Sequence, residues 1–531
     1  MLRNTVKARI KKSIEEAQHT GALPDSRVGQ FRVERPSRVD QGDWATSIAM
    51  VLASSTGKKP KTVAKILRDI LAKDEKITTS FDRVEVAAPG FINFYINRDT
   101  LIRGVGAMLR AQKPAFVNVG RGTKLNLEFL SVNPTGELHV GHARTAFYGD
   151  VLARVLTVSG FALVREYYIN NARQSAQIKE LGKTAMGQGT SYKGPYLDKK
   201  LKECEAELSR LQDASAAGYL IATAIQKDIR DFLATKAHIE FDVWKEEEEL
   251  YLDNEIEKTF AELQKKGYTY EKDGAVWLAT TRFGDTQDQV LVRTSGENTY
   301  FMADIAYHRS KARRGFTKLI DIWGADHQGH VRRMKAALGI FGIKDIEVLI
   351  TQLVRLKGGE RLSKRKGNII SIADLLEAVG EDAVRYFFLT KSLDSQMEFD
   401  MELASAKTQK NPVYYIQYTH ARITSIIEKA TATDKIKPPA LAQLKEAGEL
   451  ALMRSLVQYP DVVEDAARDY QVHRLTAYAL ELATSFNQFY RDFRVIDEGV
   501  VHEGRLALVA ATGITMRSVL GLLGISAPEE M

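Results

Sequence analysis

One cysteine, Cys204, stands in 531 residues. A lone thiol excludes an internal disulfide framework and any cysteine-rich zinc site, and it suits a reducing compartment, here expected to be the cytoplasm. No apolar run reads as long enough to cross a bilayer, so no membrane role is expected. Charge of one sign is scarcely in excess. Lys plus Arg number 75 against 68 Asp plus Glu, and the resulting +7 is spread along the chain instead of gathered in a tail. So small a surplus permits a polyanionic partner without requiring one. The opening stretch Met1 to Glu16 has several Lys and Arg, as an organelle transit peptide does. Glu15 and Glu16 argue against that, and Leu2, Val6, Ile10 and Ile14 fall at helical spacing, which predicts an amphipathic helix of the mature fold.

What is present divides into about three domains, more than one core usually supports. Residues 1–115 read as an α+β module. Trp44, Ile48, Val51 and Leu52 mark one helix, Val63, Ile66, Leu67, Ile70 and Leu71 a second, and a Pro89-Gly90 break separates two strands, Val84 to Ala88 and Phe91 to Ile96. Residues 118–395 alternate strand-like and helix-like runs, the pattern of a Rossmann-like parallel sheet. A charged, largely helical block at about 172–272 interrupts them, and strands resume at Ala275 to Leu278 and Gln289 to Arg293. Within the block, Glu246 to Glu249 reads as a solvated helix face. Residues 396–531 are helical throughout, with Leu475, Ala479, Leu482, Phe486 and Phe489 as a core stripe.

The chemistry centres on Lys124 to Asp150. Leu125 to Val132 reads as a buried strand, Asn133, Pro134, Thr135 and Gly136 break it, and from Leu138 the apolar spacing becomes helical. That strand–turn–helix puts His139, Gly141 and His142 at a helix mouth, where unpaired N–H groups and the helix dipole attract an anion. Taken in isolation, the four residues fit two exposed loop histidines better. Further on, Tyr300 and Asp304 sit one turn apart if helical, a carboxylate beside a phenol, suited to a guanidinium; a helix start with a surface Asp is the bland alternative. Ile320 to His330 is a strand running into a turn, the ligand-bearing end in open α/β sheets. Asp326, His327 and His330 there suggest a metal site, but no further ligands lie nearby in sequence. Lys357 to Asn368 is a glycine-flanked loop dense in Lys and Arg, readable as a solvated basic loop. Tyr414, Tyr418 and Arg422 mix aromatic and basic character, which suits stacked RNA bases or plain helix packing.

The stretch Glu128-Phe-x-Ser131-x-Asn-Pro-Thr-Gly-x-Leu-His139-x-Gly141-His142 resembles the histidine–glycine–histidine signature of class I aminoacyl-tRNA synthetases, in the version of the arginyl-tRNA synthetases. Leu362-Ser363-Lys364-Arg-Lys-Gly-Asn, over 200 residues later, looks like their second, lysine-bearing signature, with Arg361 and Leu362 departing from its first two positions. Gln41 to Thr46 with Pro89 to Phe94 resembles the family's N-terminal module, and Asn411 to Arg422 its anticodon-binding bundle. The resemblance implies that His139, His142 and Lys364 are catalytic, and that Gly141 and Ser363 also bind ATP. It places arginine against Glu128, Ser131, Asn133, Tyr300, Asp304 and one of His327 and Gln328, and tRNA against Tyr414, Tyr418 and Arg422. The implied partners are L-arginine, tRNA(Arg) and ATP with Mg²⁺, with no structural metal held by the protein, which is expected to be a monomer.

The implied reaction joins the arginine carboxylate to the α-phosphorus of ATP and then to the terminal ribose of tRNA. Donors and cations suffice for it, and no protein nucleophile is needed. Two other readings remain. A class I synthetase for cysteine would use zinc, and one for glutamate would present cations where Glu128 and Asp304 are acidic. A catalytically silent RNA-binding paralogue would lack His139, His142 or Lys364, all of which are present.

Overall fold

The computed structural model describes residues 2–36, 38–357, 370–431 and 438–531. The first helix, Leu2–His19, buries Val6, Ile10 and Ile14 as its spacing predicts. It also buries Arg3, which reaches the C-terminal bundle and pairs with Glu464 at 2.9 Å and Asp465 at 2.7 Å. Three antiparallel strands, β1 (Trp44–Thr46), β2 (Phe81–Ala87) and β3 (Phe91–Ile96), lie in the order β1-β3-β2. Trp44 is therefore in a strand, and the helix assigned to it begins only at Ile48. Its indole N–H donates to Asp461 of the bundle at 3.1 Å, so the N-terminal module is seated on the C-terminal helices.

The central sheet is built from β4 (Lys124–Glu128), β5 (Ala162–Ile169) and β6 (Val243–Glu246), followed after an interruption by the strands below. Between the halves, β7 (Thr269–Lys272), β8 (Ala275–Leu278) and β9 (Gln289–Val292) form a separate antiparallel sheet. The central sheet then resumes with β10 (Lys318–Gly324) and β11 (Ile346–Thr351), and all five central strands are parallel in the order β11-β10-β4-β5-β6. The chain leaves β4 toward β5 on one side and later returns to β10 on the other. The crevice at the carboxyl ends of β4 and β10 is thus the switch point where such sheets bind ligands.

Several expectations change. β4 ends at Glu128, well before Val132, because Leu130 and Ser131 turn into left-handed backbone at φ 72° and 24°. β6 lies inside the block read as an insertion, and β8 and β9 stand outside the central sheet. A further parallel pair joins β12 (Val354–Lys357) to β13 (Met397–Asp400), so the strand opening the third segment belongs with the second. The bundle comprises the helices Pro412–Thr431, Ala447–Asp469, His473–Asp492 and Glu503–Leu523. By length and composition the last is apolar enough to span a membrane, contrary to the sequence expectation, but 78% of its apolar window is buried among its neighbours, as in a core helix.

Helix Val140–Val158 packs across the sheet through Gly149, where an added Cβ would lie 2.2 Å from the Phe129 ring. No other residue allows that approach, which sets the helix mouth against the end of β4.

Candidate active site

His139 caps helix Val140–Val158, its Nδ1 accepting the Gly141 N–H at 3.1 Å, while His142 Nδ1 accepts the His139 N–H at 3.2 Å. The rings stack at 3.6 Å. With each Nδ1 an acceptor, the ring proton sits on Nε2. Burial lowers both rings below the ordinary histidine range, His142 to about 3. They are neutral donors beside a helix N-terminus, a pairing that binds phosphate oxygens without trapping a proton. Gly141 has a local reason as well: a Cβ there would stand 2.9 Å from His139 Cε1 and displace the capping ring.

The lysine-bearing loop, with Ser363 and Lys364, lies outside the described residues. Its described flanks are informative. Val140 N–H donates to Ile370 carbonyl at 3.0 Å and Ile372 N–H to Leu138 carbonyl at 2.8 Å, so the chain re-emerges from the loop paired with the histidine turn. Arg144, fully buried on the histidine helix, donates to the carbonyls of Gln352 (3.3 Å), Ser392 (2.5 Å) and Ser395 (2.7 Å), just ahead of β12 and β13. The described flanks of the loop are thereby anchored to the histidine turn and its helix.

A second group of residues lines the carboxyl ends of β4, β5 and β6. Helix Tyr300–Arg313 presents Tyr300, half exposed at its first turn, and Asp304 one turn on. The Asp304 carboxylate has no hydrogen bond or ion pair among the described residues, and burial pushes its carboxyl up to about 6. Facing it is Glu247, 4% exposed, pushed up to about 7 by burial and by the charge of Asp304. Its sole described contact is the Ala172 N–H at 3.3 Å. Both acids bear on Tyr168, whose ring stacks on Tyr307 at 3.9 Å and whose hydroxyl is buried without a hydrogen-bond partner among the described residues. Two unpaired acids and an orphaned hydroxyl form a receptor for a cation with several N–H donors.

Glu247 and Tyr168 were missed in the sequence, and the reading of Glu246 to Glu249 as a solvated face is corrected for Glu247 and Glu248, both buried. The signal was present: Phe241 to Trp244 has strand character, and acids directly after a parallel strand stand where ligands bind. The loop Asn171 to Arg173 clasps the run, with Asn171 donating to Glu246 at 2.9 Å and Arg173 N–H to Glu248 at 2.9 Å.

Glu128, expected in the same pocket, is buried and already paired with Lys311 at 2.5 Å. Ser131 Oγ accepts the Tyr168 N–H at 3.0 Å, and Asn133 lies half-buried in the turn ahead of the histidines. His327 and Gln328 are exposed in the turn after β10. Glu128, His308 and Asp321 converge closely enough to suggest metal ligation. The ammonium of Lys311, 2.5 Å from Glu128 and 2.8 Å from Asp321, already satisfies both carboxylates, so the donor set does not fit a metal ion.

On the bundle, Tyr414 and Tyr418 stack in parallel at 6.3 Å, and the Arg422 guanidinium lies 4.8 Å from the Tyr418 ring and 5.7 Å from that of Tyr490. Arg422 is fixed by Asn487 at 2.5 Å. Tyr490 completes this ladder and was not singled out in the sequence.

Residues 198–425 match the catalytic domain of class I tRNA synthetases (R), residues 4–96 the arginyl-tRNA synthetase N-terminal domain, and residues 416–531 the DALR anticodon-binding domain. With the switched parallel sheet, they define a class I aminoacyl-tRNA synthetase. An arginine–tRNA ligase from Moorella thermoacetica is 41% identical over 97% of this chain and 96% of its own, and one from Geobacillus thermodenitrificans 40% over 99% of each. The structure of Thermus thermophilus arginyl-tRNA synthetase covers the whole of both chains with a TM-score of 0.77, and that of the Plasmodium falciparum enzyme covers 100% of this chain and 99% of its own with 0.80. At 23% and 17% identity these two are likenesses of fold. The chain belongs to the arginyl-tRNA synthetase family.

Proposed function

We propose that the protein activates L-arginine with ATP and transfers the arginyl group to tRNA(Arg), releasing pyrophosphate and AMP. The observation that carries the amino-acid specificity is the pair of desolvated acids, Asp304 and Glu247, neither in an ion pair among the described residues, with the unpartnered Tyr168 hydroxyl. A neutral or acidic side chain would leave both carboxylates desolvated and unpaired, at a cost of several kcal/mol. A guanidinium satisfies both.

In this reading Tyr300 covers the guanidinium, Glu128 backs the pocket, and Ser131 and Asn133 hold the ammonium and carboxylate of arginine. His327 or Gln328 contacts the same substrate from the β10 turn. The arginine carboxylate attacks the α-phosphorus while His139 and His142 donate from Nε2 to the phosphate oxygens and the backbone at Gly141 meets the nucleotide. Ser363 and Lys364 close on the same phosphates from the neighbouring loop and neutralise charge as pyrophosphate departs. Mg²⁺ enters with the ATP. The terminal ribose hydroxyl of tRNA then attacks the adenylate and AMP leaves. Positioning and electrostatics accomplish both steps.

The domain assignment follows. Residues 1–115 grip the tRNA elbow, 118–395 do the chemistry, and 396–531 read the anticodon through Tyr414, Tyr418, Arg422 and Tyr490. The protein works as a monomer in the cytoplasm. ATP–pyrophosphate exchange screened over twenty amino acids, with and without tRNA, tests this: exchange with arginine alone supports it. Exchange driven by another amino acid, or by none under both conditions, overturns it.

A further inference from the structure

Helix Tyr300–Arg313 lies over a row of acids that the sheet register sets side by side. Glu166 of β5 is in register with Glu128 of β4, and Glu128 with Asp321 of β10. All three are buried. The helix answers with cations at three-residue intervals: His308 contacts Asp321, Lys311 bridges Asp321 and Glu128, and Arg314, just past the last turn, holds Glu166 in a fork at 2.6 and 2.8 Å. Lys311 and Arg314 are permanent charges. The row is electrically balanced only if the third member is charged too.

The geometry of His308 requires that charge. Nδ1 lies 2.7 Å from the Asp304 carbonyl oxygen and Nε2 lies 2.9 Å from Asp321 Oδ2. A carbonyl oxygen only accepts, so Nδ1 bears a proton. Asp321 also accepts from Lys311 at 2.8 Å and is held below the ordinary carboxylate range despite its burial, so it is ionised and Nε2 must donate as well. Two donating nitrogens make an imidazolium. One of its bonds fixes the carbonyl of Asp304, the residue read above as the guanidinium acceptor.

We propose that His308 is a protonated positioning residue that keeps the Asp304 carboxylate ionised and in place for the substrate guanidinium, and so sets the pH at which arginine is accepted. The proposal rests on the assignment of Asp304 to that role. Asp304 is otherwise faced by Glu128 of β4, Glu247 at the start of the short helix Glu247–Leu252, Tyr168 of β5, His327 of the β10 turn and Arg333 of helix His330–Ile340. His308 itself is faced by Asp321 and Trp323 of β10, Glu128 of β4, and Tyr307 and Lys311 of its own helix. Burial works against its charge, and Asp321 and Glu128 more than reverse that. The acids around Asp304 oppose its ionisation, and His308 is the strongest of the cations that favour it.

The test is the pH profile of the arginine KM in ATP–pyrophosphate exchange with tRNA present. Wild type should show an acid limb with a component near pH 6, and Asp304→Asn should lose that component. In His308→Gln its midpoint should move up by about one to two pH units, the effect of removing a unit charge about 6 Å away at an effective dielectric near 20. The KM should then rise about two- to tenfold at pH 7, converge with wild type at high pH, and leave the ATP KM unchanged. A rise equal at every pH, or an unmoved midpoint, would overturn the role of His308. A limb unchanged in Asp304→Asn would instead overturn the pocket reading. If His308→Gln does not fold, ¹⁵N-histidine spectra of the wild-type protein decide: one of its ten histidines should keep both ring nitrogens protonated above the pH at which the others lose a proton, and the absence of any such ring refutes the proposal.

Discussion

Replacing Asp304 by Asn keeps shape and hydrogen-bonding capacity and removes only charge. The carboxyl is pushed from an ordinary value of 3.8 to about 6 by burial, so the empty pocket holds its charge at a cost of about 3 kcal/mol. A guanidinium arriving at about 4 Å returns about 4 kcal/mol at an effective dielectric near 20. Losing that pairing should raise the arginine KM by about 10²- to 10³-fold, with the ATP KM within about threefold of wild type. The pH dependence has a definite sign. Below pH 6 the protonated acid offers no charge, so the wild-type KM for arginine climbs as pH falls through 6 and is flat well above it. In Asp304→Asn only the component from Glu247 should remain, displaced below pH 7 because the Asp304 charge that helps to raise it is gone. Steady-state exchange from pH 5 to 9, at saturating and subsaturating ATP, provides both readouts. Equal changes in the two KM values would refute the reasoning, because a pocket charge cannot weaken a nucleotide bound at the histidine turn.

Three further substitutions probe other parts of the site. Tyr168→Phe removes a buried hydroxyl that has no protein partner, so the melting temperature should hold or rise slightly while the arginine KM rises by about tenfold; a loss of stability with unchanged KM would place the hydroxyl in an internal role. Gly141→Ala forces a Cβ to within 2.9 Å of the His139 ring and should weaken ATP use by at least tenfold with the fold intact, measured as kcat/KM for ATP; wild-type kinetics would mean the ring can move freely. Arg422→Ala should raise the tRNA KM about five- to fiftyfold through lost stacking and charge and leave tRNA-independent arginine binding, measured by calorimetry, unaltered; an unchanged tRNA KM would return the tyrosine ladder to helix packing.

Much of this site was legible along the chain because its parts are local. A strand, a Pro-Gly turn and a helix start lie within Lys124 to Asp150, so the position of His139 and His142 at a helix mouth follows from neighbouring residues alone. Tyr300 and Asp304 share a face because four residues make a turn. Glu247 could not be read in the same way. A run of four acids looks like a solvated surface until the strand before it is known to be the edge of a buried parallel sheet. Trp44 was misplaced for a related reason, since its spacing to Ile48 suits a helix while its partner strand lies some fifty residues further on.

By itself the sequence determined the signatures, the three-part division and the chemistry each segment is equipped for, since those depend on residue type and short-range spacing. Only tertiary structure decided which charges are free. Lys311 neutralises Glu128 from 183 residues away and leaves Asp304 and Glu247 without an ion pair among the described residues, and the sheet register lines up Glu166, Glu128 and Asp321 so that His308 must be charged. The physical reason is desolvation: a carboxylate's pairing and ionisation depend on what surrounds it in space, and that is set where distant strands and helices meet.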